Sequence, residues 1–278
     1  VADILILWYK NVEKILFLIN RVKLMKKNIS SIIILSLMVA CPAFSSHHGH
    51  VDIHEHGHKN DEESKKIITD DNEYLTNLNL MKGHLWVGIQ LYKASFKDNA
   101  KMHMKHPKSE LYGGMIATFK HKGAPGFASE LETLASSVEN EEPLQTIDKN
   151  YKNLFKAINE NEKFVDETSI SIHKKVNLVI SLLKIAEEEY AIGIVNGKVK
   201  NKHEYQDALG FTTMAKNIIE GINIEGETQK NRLSAIIAAI ETLSSLWPEL
   251  APNHNVDGDA KSILNVIEEI KNIAQSDT

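Results

Sequence analysis

The chain has 278 residues, with 32 Lys and Arg against 37 Asp and Glu, 13 His, one Cys and six Pro. That length gives one large domain or two modest ones with a real core, and 42% hydrophobic with 25% charged residues excludes wholesale disorder. A single cysteine excludes a disulfide scaffold, a Cys-based zinc finger, a four-thiolate iron–sulfur cluster and a CxxCH haem attachment, and a formal charge of −5 excludes nucleic acid as an expected partner.

Residues 1–24 read as an extension upstream of a start at Met25. Met25-Lys26-Lys27 is a positive n-region, Ile32 to Ala40 is a short apolar h-region, and Pro42-Ala43-Phe44-Ser45-Ser46 offers cleavage after Ser45. We therefore expect an export signal over 25–45, since the apolar run falls short of the roughly 20 residues of a membrane span. Met38-Val39-Ala40-Cys41 is a loose lipobox, and the alternative is a lipoprotein held at the membrane through Cys41. Cleavage removes six basic and two acidic residues and leaves 26 against 35, a balance of −9. A periplasmic or secreted protein of that charge suits cations as ligands.

Six histidines follow at once: His47, His48, His50, His54, His56 and His58, interleaved with Asp52 and Glu55. Imidazoles with carboxylates are ligands for transition metals, and a flexible tract can wrap them around an ion without a preformed pocket. The alternative is a solvated linker whose histidines carry no function. The composition of residues 46–72 predicts a disordered linker.

Beyond residue 72 apolar residues recur at helical spacing. Tyr74, Leu78, Met81, Leu85 and Tyr92 mark one helix. Asp98 is placed to cap the next, which Pro107 should break or restart. A loop at Gly123-Ala124-Pro125-Gly126 precedes a short helix through Phe127, Leu131, Leu134 and Val138, and these elements define an N-terminal helical subdomain over 73–140. A C-terminal bundle over 141–278 begins with Leu144, Ile147, Tyr151, Leu154, Phe155 and Ile158. A longer stripe from Ile172 through Val176, Val179, Leu183 and Tyr190 ends near Asn196-Gly197, read as a C-cap. Asn201-Lys202-His203-Glu204 resembles a capping box leading into the Phe211 helix. Leu233, Ile236, Ile240 and Leu243 form the next helix, ended by Pro248 and Pro252, and Ile263, Ile267 and Ile270 the last. The fold class is all-α, antiparallel helical bundles with short loops.

The ordered candidate site lies in the first half: His84, His103, His106 and Glu110. His103 and His106 are i,i+3 neighbours on one side of a helix, and Pro107 as a first helical residue puts Glu110 in the following first turn. A short connection around Ser95 to Asp98 folds the two helices antiparallel and carries His84 towards the other two. His/His/Glu suits zinc, and His with Met102 or Met104 suits copper. The competing reading makes His84 a core histidine, His106 a cap and the methionines packing. His121, His173, His203 and His254 read as isolated structural or surface residues.

In the second half, Tyr190, Val195-Asn196-Gly197-Lys198-Val199, Glu204-Tyr205 and Phe211 form a pattern that resembles the helical periplasmic region of bacterial Ftr-type iron permeases, over residues 187–211. The resemblance implies an exported helical module tied to metal uptake, with Glu189, Glu204 and Asp207 as the acids of interest; the alternative makes Glu204 a capping acid. The Arg-Glu-x-x-Glu motif and membrane helices of the permeases are not found after it, so the transport step is not carried over. Gly83-His84-Leu85, His106-Pro107 and Glu110-Leu111-Tyr112 are similar to uncharacterised exported helical proteins of proteobacteria, a likeness that brings no activity. The Gly-x-His-x-x-Glu motif of exported imelysins is not met, position 87 being Val87.

These readings predict a non-enzymatic, exported metal-binding protein, a buffer or chaperone linked to transition-metal uptake, with zinc first and copper or iron as alternatives. A membrane metal transporter is the expected partner. The rival function is a structural or interaction protein of the envelope with an incidental His-rich linker.

Overall fold

The computed structural model describes residues 67–275, apart from the side chains of Ser109 and Glu110. The expected export signal, the candidate lipobox and the histidine tract lie outside the described residues.

Asp70 accepts a hydrogen bond from the Glu73 amide at 2.7 Å and caps α1 (Asp71–Lys93), with Asp71 and Glu73 complementing the positive end of the helix dipole. Tyr74, Leu78, Met81 and Leu85 are fully buried, as their spacing predicts. So are residues on the other faces of α1, because this helix is the centre of the molecule. It packs on α2 (Lys97–His106), α5 (Leu144–Asn161), α6 (Ile172–Gly193) and α7 (Lys202–Glu220). Helices from both sides of residue 140 therefore share one hydrophobic core.

Of the break or restart expected at Pro107, it is the restart that occurs. The chain continues without leaving right-handed helical geometry through a π-helical turn (Pro107–Tyr112) into α3 (Gly113–Lys122). Proline has no amide to donate and its ring crowds the carbonyl four residues back, so a locally wider turn accommodates it. Asp98 is also not the cap of α2; Phe96 holds that position and Asp98 lies in the first turn. Gly123, left-handed at φ 71°, closes α3, and α4 (Ala128–Glu139) packs on α2 and α5.

Asn196-Gly197 differs from its expected role too. Both residues have positive φ, 54° and 70°, and turn a two-residue antiparallel pair, β1 (Ile194–Val195) with β2 (Lys198–Val199). An Asn-Gly pair turns a hairpin with the right twist, and α6 has already ended at Gly193. The hairpin returns the chain into α7 alongside α6. There the expected cap does form: Asn201 accepts from the His203 amide at 3.0 Å and donates to Glu204 at 3.2 Å. α8 (Glu227–Thr242), continued by a 3₁₀ turn (Leu243–Leu246), and α9 (Lys261–Gln275) complete the fold, α9 lying on α6 and α8. Among the described residues the molecule is an all-α bundle of nine helices, and none of these helices is long and apolar enough to cross a membrane.

Candidate metal centre

Two close helix approaches bring the polar residues of the first half onto α7. A Cβ on Gly210 would lie 2.5 Å from the Gly83 carbonyl oxygen, and one on Gly83 would lie 2.7 Å from the Phe211 ring. Only glycine at both positions lets α1 and α7 cross at backbone contact, and the crossing sits one residue from His84 and three from Asp207. Gly88 does the same for α2, where a Cβ would meet Met104 at 2.4 Å and the Cβ of His103 at 3.1 Å. Met104 is packed in the core, whereas Met102 is half exposed.

The result is a carboxylate ringed by imidazoles. Asp207, 1% exposed, has Oδ1 2.5 Å from His84 Nδ1 and 3.0 Å from His103 Nδ1, while Oδ2 lies 3.0 Å from His203 Nδ1. His103 is completely buried, and His84 and His203 nearly so. His106, half-buried, has its ring centroid 6.0 Å from that of His84 and 4.1 Å from that of His203. Potential ligand atoms fall into two triads sharing Asp207: His84 with His103, and His106 with His203, the atoms of each within 4.8 Å of one another.

The hydrogen bonds around this cluster are incomplete in one direction. Gln206 donates from Nε2 to the Leu250 carbonyl at 3.0 Å, which turns its Oε1 towards His103 Nε2 at 2.9 Å. Neutral imidazole carries one N–H, and Gln206 claims it, so the Nδ1 lone pair of His103 faces the Asp207 carboxylate. Burial holds His103 below the usual histidine range and so keeps it neutral, despite the neighbouring carboxylate. Two acceptors then face each other at 3.0 Å in a buried interior, and neither His103 Nδ1 nor either ring nitrogen of His203 has a hydrogen bond of acceptable geometry. A buried polar atom without a partner costs about 1–3 kcal/mol, and a cation between nitrogen and carboxylate removes that cost.

The charges nearby tell the same story. Burial alone would raise the Asp207 pKa, but the neighbouring imidazoles, His84 and His203 among them, hold it well below the ordinary value. For His203, burial opposes the charge, yet Asp207 and Glu204 outweigh it and push the imidazolium up to about 9. Glu189, desolvated and hydrogen-bonded to Glu204, is pushed up to about 8, while Glu204 is held low, chiefly by His203. The pull of Asp207 and Glu204 thus favours a charged His203 beside the buried carboxylate.

His84, His103 and His106 are thus drawn together from α1 and α2. Glu110 sits in the π-helical turn, its side chain outside the described residues, as is the whole histidine tract. His203 corrects the expectation of an isolated residue: its ring stacks on His103 at 4.0 Å between centroids. Its i,i+4 spacing to Asp207 on α7 was the available signal, but it gained meaning only beside two histidines more than 90 residues away. His121, His173 and His254 are exposed.

No curated protein and no solved structure matched the chain. A family model did, over α6 to α9, the part that supplies His203, Glu204 and Asp207 and contains the 187–211 pattern; His84, His103 and His106 fall before it. Residues 165–278 match the iron permease-associated 4-helix bundle domain, in agreement with the resemblance read from the 187–211 pattern.

Proposed function

We propose that this protein is an exported iron-binding protein, a periplasmic buffer or chaperone that hands its ion to a membrane permease, and that it is not an enzyme. The observation that carries the reading is the lone pair of His103 Nδ1 facing the buried Asp207 carboxylate, flanked by His84, His106 and His203. Imidazole with carboxylate is a donor set for iron(II) and for zinc; the likeness of residues 165–278 to an iron permease-associated domain supports iron as the cargo and gives no support to the zinc-first order read from the histidines alone. The histidine tract, six imidazoles beside the export signal, supplies a capture site for the same ion before it reaches the body.

The test is anaerobic titration of the full chain with Fe(II), with Zn(II) and Cu(II) as competitors. A parent variant with His47, His48, His50, His54, His56 and His58 changed to Asn isolates the body. The expected result is Fe(II) binding in that parent and its loss in Asp207→Asn. An envelope protein whose cluster is only a buried ion-pair network would show no binding by the body at all.

A further inference from the structure

We infer that the cluster is built for two metal ions bridged by the Asp207 carboxylate, one on Oδ1 with His84 and His103, the other on Oδ2 with His106 and His203. This rests on the metal-binding reading above and fixes its stoichiometry and ligand sets.

The decisive geometry is the His103–His203 pair. Their rings are stacked at 4.0 Å between centroids and only 10° from parallel. An imidazole nitrogen donates its lone pair in the plane of its ring. Two planes so nearly parallel meet far outside the site. An ion placed between the two Nδ1 atoms would lie well out of both planes at ordinary metal–nitrogen distances of about 2.0–2.1 Å. One ion therefore cannot take His103 and His203 together.

Each stacked ring instead faces its own oxygen of one carboxylate. His103 Nδ1 is 3.0 Å from Oδ1 and His203 Nδ1 is 3.0 Å from Oδ2. The stacking distance matches the roughly 3.5–4 Å between the ions of two-metal centres. A further histidine completes each side, His84 by Oδ1 and His106 beside His203. Charge is supplied on the second side by Glu204, whose Oε2 is 4.0 Å from His203 Nδ1.

The experiment uses the full chain with the six tract histidines changed to Asn, dialysed anaerobically against Fe(II), with bound iron counted per chain. Two ions per chain are expected, one in His103→Ala, one in His203→Ala and none in Asp207→Asn, with helicity retained by circular dichroism. The parent count decides the matter even where a variant fails to fold. One ion in the parent overturns the two-ion centre and leaves the metal-binding reading standing. No ion in the parent overturns both. Two ions that persist unchanged in His103→Ala and His203→Ala place the sites elsewhere and overturn the bridged centre.

Discussion

Two buried polar centres flank α1, and they differ in one respect. At the Asn161 centre everything is matched: the Asn161 amide donates to the Gly126 and Ala157 carbonyls, its oxygen accepts from the Gly126 amide at 2.9 Å, and its backbone carbonyl accepts from the Tyr74 hydroxyl at 3.0 Å. Lys82 nearby is matched too, at 2.6 Å from Glu162, which also accepts from Asn79. At the Asp207 centre the imidazoles crowd a carboxylate and leave ring nitrogens unbonded. A complete network locks helices together; an incomplete one, equally buried, leaves ligand atoms open to a further partner.

The sharpest way to break that contrast is Asp207→Asn. Removing one partner of a buried charge network typically costs about 3–5 kcal/mol, so urea unfolding of the metal-free protein should show a loss near that size. The sign with pH follows from the lowered carboxyl: its contribution is present above about pH 4 and is lost as pH falls through the folded-state value. Asp207→Asn should lack that acid-dependent loss.

His103→Ala separates function from packing. If the centre holds metal, Fe(II) at a hundredfold excess over its dissociation constant should stabilise the tract-substituted parent by roughly 2.7 kcal/mol per bound ion, and His103→Ala should remove the share of the ion it holds. Calorimetric melting with and without Fe(II) measures it. A rise that is undiminished in His103→Ala would make the two centres alike after all. The rise should also weaken as pH drops below about 9, where an ion must displace the proton His203 holds, because protonated imidazole cannot ligate.

Asn161→Ala is the control from the matched centre. It strands the Gly126 amide and should cost about 2 kcal/mol by the same unfolding measurement, identically with and without Fe(II). A metal-dependent difference in this variant would blur the distinction between the centres.

The smallest effect concerns Glu189. Its folded-state pKa of about 8 lies above its ordinary 4.5, so the folded protein holds an extra proton between those values and stability falls as pH rises across that window. Glu189→Gln keeps a donor for Glu204 and should flatten the slope. Urea unfolding should find it more stable at pH 8 by about 1 kcal/mol, a figure reduced for the water that reaches this half-buried group.

Much of this could be read along the chain. The stripe through Tyr74, Leu78, Met81 and Leu85 has to be buried because its period is that of a helix, and the Asn201 cap and the pattern at 187–211 are local chemistry. The sequence by itself determined the helices, most of their ends, and the meeting of α1 with α2 through the short turn at residues 94–96, since each depends on neighbours within a few positions. Local rules left two outcomes open at Pro107, where the helix restarts as a π turn instead of breaking, and failed at Asn196-Gly197, where a cap and a hairpin turn use the same residues. Only the tertiary structure decided that Gly83 crosses Gly210 and that His203 stacks on His103. Those are contacts between segments about 100 residues or more apart, and no period along a helix encodes which face of α7 will meet α1. Asp207 became a centre for the same reason: a lone acid on a helix is ordinary until packing surrounds it with imidazoles and shuts out the water that would otherwise satisfy it.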